Sequence, residues 1–182
     1  MDKILDVAAY VIERYKWQTG EAIDEMKLHK MLYFIQRESF ARAGHPAFEG
    51  DFEGWKYGPV APSVRAYFYE GQLMTSTNPV SDETEYYINC VVDQYCRIPS
   101  WELSKLSHNE ISWKNARDGL KEGENGNRIM KLSDIEEDAK KVRVYDSLYD
   151  MYIDEFDDAT EEEMQEWFKR LEEARIDEVE IA

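Results

Sequence analysis

The sequence is short of the residues that usually carry metal and redox chemistry. Its 182 residues include two cysteines, Cys90 and Cys96, and three histidines, His29, His45 and His108. A Cys-x5-Cys spacing fits no common zinc motif, and two cysteines in a chain this long make no disulfide framework. Both fall in an apolar helical pattern and read as free, buried thiols. The histidines show no metal-ligand spacing, and neither HExxH nor CxxC occurs. A glycine-rich phosphate loop and a GxSxG elbow are also missing. No run reaches the ~18 apolar residues of a membrane span. The amphipathic N-terminus, with Asp2, Lys3, Glu13 and Arg14, reads as neither signal peptide nor span. The expectation is a cytoplasmic protein without a cofactor.

Positive charge is scarce as well. Lys and Arg number 22 against 39 Asp and Glu, a net charge of −17. Nucleic-acid binding depends on cations that neutralise phosphates, and an anionic membrane surface repels an acidic chain. Direct nucleic-acid binding and membrane association are therefore not expected. The acidity is uneven: Lys131 to Ala182 holds 19 acidic and 7 basic residues, a net −12, which leaves −5 for the first 130.

What the chain does have is apolar and aromatic substance. Hydrophobic residues make up 43% and aromatics 13%, with 12 tyrosines, which excludes a disordered chain. This length suits one domain, or one domain with an appendage.

The spacing predicts helices. Ile4, Ala8, Val11 and Tyr15 mark one face of a helix over 3–16. Asp24 is the expected cap of a second helix over 24–42, stopped by Gly44 and Pro46. Phe48, Phe52 and the Trp55–Tyr57 pair read as short strands joined at Gly50. Pro62 suits the first turn of a third helix, ended at Gly71. Asp82 with Glu85 reads as a capping box for a helix that Pro99 ends. A short helix follows from Ser100 to Leu106, and Trp113 to Asp118 reads as a short turn ended by Gly119. A long helix starts at Ser133 and runs past Leu148, and a last one starts at Thr160. The fold class is mainly α: a compact helical domain with a small antiparallel β element near residues 47–58 and a C-terminal acidic helical extension. Residues 1–130 are the expected interaction domain, and 131–182 the acidic helices packed on it or extending it.

Chemistry is harder to place. His29, beside Lys30 in the second helix, is expected at the solvent-exposed surface, and His45 in a turn. His108 with Arg117 would be the pair for an enzyme reading, which predicts a concave pocket around them. No nucleophile with an activating base accompanies them, so no enzyme is expected. Two clusters stand out. One is Trp55-Lys56-Tyr57-Gly58-Pro59-Val60-Ala61-Pro62. The other is Ser107-His108 with Trp113, Ala116 and Arg117. The architectural reading of the first is a rigid corner that aims the following helix. The functional one is a preformed surface displaying Trp and Tyr, residues that often dominate interfaces.

These residues resemble the Panacea domain, the SocA-like antitoxin and phage-associated family. Lys30-Met31-Leu32-Tyr33-Phe34-Ile35-Gln36 matches its K-(L/M)-L-Y-(F/Y)-x-Q helix. Residues 55–64, WKYGPVAPSV, match its W-x-x-G-P-V-x-P-x-V segment. Ser107-His108, Trp113 and Ala116-Arg117 resemble a later element, with Ser112 where a Pro is usual. The resemblance covers about residues 1–130. It implies a mainly helical antitoxin that neutralises a protein toxin by direct binding, or delivers it to a protease as an adaptor. The toxin is expected to be encoded nearby. No cofactor or catalytic residue is implied. The motif residues it singles out are Tyr33, Gln36, Trp55, Lys56, Tyr57, Gly58, Pro59, Pro62, His108, Trp113 and Arg117. An acidic nucleic-acid mimic, or inhibitor of a DNA-binding protein, is the alternative, and it rests on the acidic tail alone.

Overall fold

Apolar residues at helical spacing produce a bundle built around one central helix. The computed structural model describes residues 1–69, 78–121 and 123–144, all within the unit Met1–Val144. Helix α1 spans Ile4–Thr19 and α2 spans Glu25–Ala43. Asp24 caps α2 by accepting from the Lys27 amide at 2.9 Å, and Gly44 ends it with φ 73°. That positive φ favours glycine, since a Cβ would crowd the carbonyl. The first helix runs three residues past its expected end, to the left-handed Gly20.

Helix α2 carries the core. Lys27 to Gln36 are all buried, under α1, α4 (Asp82–Tyr95), α5 (Ser100–His108) and α7 (Leu132–Ala139). Phe34 stacks on Tyr95 at 4.7 Å, and Tyr33 meets Phe52 edge-on at 5.9 Å. Such aromatic pairs add to the gain from burial alone.

Two small sheets flank this bundle. β1 (Asp2–Lys3) pairs in parallel with β2 (Phe48–Glu49). β3 (Glu53–Trp55) pairs antiparallel with β4 (Gly58–Val60), with Gly54 opposite Pro59. The antiparallel element thus sits at 53–60, and its turn is Lys56–Tyr57 rather than Gly50. Gly50 serves a different end: a Cβ there would stand 2.8 Å from Ile4. Residues 128–130 run along the free edge of β3, through Gly54 N to Arg128 O at 3.0 Å and Met130 N to Phe52 O at 2.7 Å.

Pro62 opens α3 (Pro62–Tyr69), as its sequence predicts. Helix α4 is capped by Ser81, one residue before the expected Asp82. The Ser81 hydroxyl accepts from the Thr84 amide, and Asp82 lies in the first turn, where its charge faces the positive helix end. Helix α5 reaches His108, and α6 spans Ile111–Ala116. Helix α7 differs most from the sequence reading. Lys131, not Ser133, stands at its N-cap, and the helix ends at Ala139. The expected stops and starts at Gly71, Leu148 and Thr160 lie outside the described residues. Among the described residues, no helix is long and apolar enough to cross a membrane.

Candidate functional site

The β3–β4 hairpin is shaped by what lies beneath it. Gly58 has φ 101°, a region that disfavours side chains. A Cβ there would also stand 2.4 Å from Ser107 Oγ and 2.6 Å from Lys30 Cε. The hairpin backbone therefore rests directly on α2 and α5, and only glycine permits that approach.

Four side chains then hold four hairpin carbonyls. Lys30 Nζ donates to Pro59 O at 3.0 Å. Trp113 Nε1 donates to Trp55 O at 2.8 Å, and Ser104 Oγ to Tyr57 O at 2.8 Å. Arg117 donates to Gly54 O at 3.2 Å and to Glu124 O at 2.6 Å. Residues far apart in sequence thus converge on one eight-residue hairpin. Lys30 was not among the residues singled out above as site candidates, although it lies in the matched helix motif. Despite its charge it is 1% exposed.

Two of the singled-out residues lie elsewhere. Tyr33 shares a hydrogen bond with Ser112 Oγ at 3.0 Å and donates to Asp138 Oδ2 at 3.1 Å. Asp138 in turn accepts from the Ile111 and Ser112 amides at 2.6 and 2.9 Å, which fastens α6 to α7. Gln36 donates to Phe48 O at 3.2 Å and accepts from Ala47 N at 3.1 Å, so it pins the start of β2. Both are architectural.

The hairpin leaves a recess on each side of the Lys56–Tyr57 turn. One cleft, about 470 Å³, lies between that turn and His108, Trp113, Lys114 and Arg117. His108 stacks on Trp113 at 4.1 Å, and the Arg117 guanidinium lies 5.1 Å from the same ring. Burial lowers the His108 pKa, with Lys30 and Arg117 acting the same way and the Lys56 backbone opposing. A concave pocket around His108 and Arg117 does exist. The Ser104 hydroxyl stands 3.5 Å from His108 Nε2 and directs its hydrogen to Tyr57 O at 2.8 Å.

The second recess, about 120 Å³, is lined by Glu25, His29, Lys30, Trp55, Val60 and Arg65. His29 is 2% exposed, which overturns the expectation of a solvent-exposed imidazole. The reason is position: α2 is surrounded, so a polar residue on it need not face water. Burial, then Lys30 and Arg65, push the His29 pKa down to about 3. Burial also pushes Lys30 down to about 7, against the pull of Asp24 and Glu25.

Between the recesses stands Tyr57, 57% exposed, with Lys56 Nζ 4.9 Å from its ring. Trp55 is half-buried, with the Arg65 guanidinium 4.8 Å from its ring and Nε1 donating to Glu53 at 2.7 Å. His45 is exposed in its turn. Cys96 is buried and Cys90 half-buried, both as free thiols. Among the described residues, no group of three or more His, Cys, Asp or Glu side chains could hold a metal ion.

A family model described as antitoxin SocA-like, Panacea domain, matches residues 28–114. Residues 28–114 are thus similar to a SocA-like Panacea domain. Antitoxin SocA of Caulobacter vibrioides (strain NA1000 / CB15N) is 41% identical over 46 residues, which is 25% of this chain. The match spans about a quarter, 24%, of that relative's length. No solved structure matches the chain. The Panacea domain takes in the hairpin, Lys30, His108 and Trp113. Arg117, which grips Gly54, stands three residues beyond its matched end.

Proposed function

We propose that this chain is an antitoxin-like, non-catalytic interaction protein that neutralises a cognate protein toxin by direct binding. The Lys56–Tyr57 turn belongs to the surface that meets the toxin. Membership of the Panacea domain in an antitoxin family supports the role. The observation that carries the site is the exposure of Tyr57 on a backbone held from below by Lys30, Ser104, Trp113 and Arg117. A large aromatic on a fixed backbone loses little entropy on binding, which favours its use as an anchor. The neighbouring Lys56 and Lys114 make this face electropositive in a chain of net charge −17.

The experiment is co-expression with the product of the neighbouring gene. Relief of growth arrest and a co-purifying complex are expected, both weakened by Tyr57→Ala. Arrest that persists without a complex overturns the proposal. Delivery to a protease is a separate step. It predicts a shorter toxin half-life when the chain is present, and an unchanged half-life leaves direct neutralisation alone. A nucleic-acid mimic would be built mainly from residues past 144, outside the described residues.

A further inference from the structure

The smaller recess beside Trp55 contains one buried donor without a hydrogen-bond partner among the described residues, His29 Nε2, next to the buried amine of Lys30. His29 Nδ1 accepts from the Ala61 amide at 3.3 Å, so the ring proton sits on Nε2. Nε2 is buried and has no hydrogen-bond partner among the described residues. The Glu25 carboxylate is 3.7 Å from it, beyond hydrogen-bond length. Lys30 Nζ carries up to three hydrogens and donates one of them, to Pro59 O. A buried donor without an acceptor costs about 1–3 kcal/mol. His29 Nε2 is such a donor, and with Lys30 beside it in one recess it matches an acceptor brought from outside.

The charge and size of the recess narrow the ligand. Among its described lining residues, Lys30, Lys56 and Arg65 stand against the single carboxylate of Glu25, which pairs with Arg65 Nε at 3.6 Å, so the balance is positive. Trp55 and Val60 add an apolar wall. At about 120 Å³ the recess is well below the roughly 300 Å³ from which drug-sized pockets begin. It has room for one side chain.

We infer that this recess binds a carboxylate, supplied by a Glu or Asp side chain of the protein partner, with His29 Nε2 and Lys30 Nζ as its donors. The inference rests on the partner-binding reading only for the source of the carboxylate. Binding strengthens as pH falls through the neutral range, because Lys30, with its pKa near 7, becomes charged. The groups facing Lys30 are Asp24, Glu25 and His29 from α2, Arg65 from α3, Lys56 from the hairpin and His108 from α5.

The test is made on the full isolated chain, whose three histidines keep imidazole nitrogen spectra simple. The probes are a glutamate blocked at both ends and free glutarate, each against sodium chloride of equal ionic strength. Blocked glutamate is expected to shift the His29 signals saturably, several-fold more tightly at about pH 6 than at about pH 8. Glu25→Gln should tighten binding by removing a like charge, and Val60→Trp should abolish it by filling the recess. If Val60→Trp fails to fold, Arg65→Gln on the half-exposed face of α3 is expected to weaken binding instead. No saturable shift up to about 50 mM probe overturns the inference. So does an equal shift with sodium chloride. A shift with glutarate but not with blocked glutamate overturns the side-chain source. Because no toxin is present, this result and the co-expression result fail independently.

Discussion

At Gly58 three constraints fall on one backbone position: φ 101°, Ser107 beneath and Lys30 beside it. Gly58→Ala is expected to cost about 3 kcal/mol, from backbone strain and displacement of both neighbours. Urea unfolding measures it, and a loss under about 1 kcal/mol would mean the hairpin can lift off α2. His29 gives a pH signature. Its pKa falls from 6.5 unfolded to about 3 folded, so the unfolded chain binds the proton first. The His29 contribution is present above pH 6.5 and is lost as pH falls toward 3, with a slope of at most about 1.4 kcal/mol per pH unit. Glu110 runs the other way. Burial raises it to about 7, so its contribution is present below 4.5 and lost as pH rises through 7. His29→Asn, which keeps an acceptor for the Ala61 amide, should flatten the acid limb while leaving the Glu110 limb in place. Unfolding curves taken across this range decide it.

Among the elements, the hydrogen bonds of Asp138 join α6 to α7 and to Tyr33 of α2. Asp138→Ala leaves the Ile111 and Ser112 amides and the Tyr33 hydroxyl without their acceptor, and should cost about 2–3 kcal/mol. Hydrogen exchange at those two amides should rise more than elsewhere. Uniform acceleration across the chain would instead show that α6 and α7 have no separate opening. The helices themselves were legible in sequence where local rules govern them. Asp24, Gly44 and Pro62 set the limits of α2 and the start of α3 through capping chemistry alone. The hairpin turn and the end of α7 were not, because they depend on contacts distant in sequence. Gly50 is a close-approach position under Ile4 rather than a strand junction, a contact made across distant segments. Lys30 and His29 escaped for a related reason: polarity signals exposure only on a helix with one wet face.

Across the whole molecule, electrostatics and exposure act together. The net charge of −17 coexists with a cleft that Lys56, Lys114, Arg117 and Lys121 line, with no carboxylate among its described lining residues. If the toxin meets this face, Lys114→Glu with Lys121→Glu should slow association several-fold at low salt and change dissociation little. Both side chains are exposed, so stability should stay within about 0.5 kcal/mol. Surface-binding kinetics across a salt series measures this, and an association rate indifferent to the double substitution would place the toxin on another face.

The amino-acid sequence alone determined the mainly helical class, the capped central helix and the Panacea motifs, because spacing and capping act over a few residues. Only the tertiary structure decided that Lys30 is buried under the hairpin, that His29 lines a recess, and that Tyr33 and Gln36 are architectural. It also separated the Trp55-Lys56-Tyr57 stretch into a half-buried support and one exposed ring. Burial and hydrogen-bond partners depend on which segments meet, and those segments lie up to 105 residues apart.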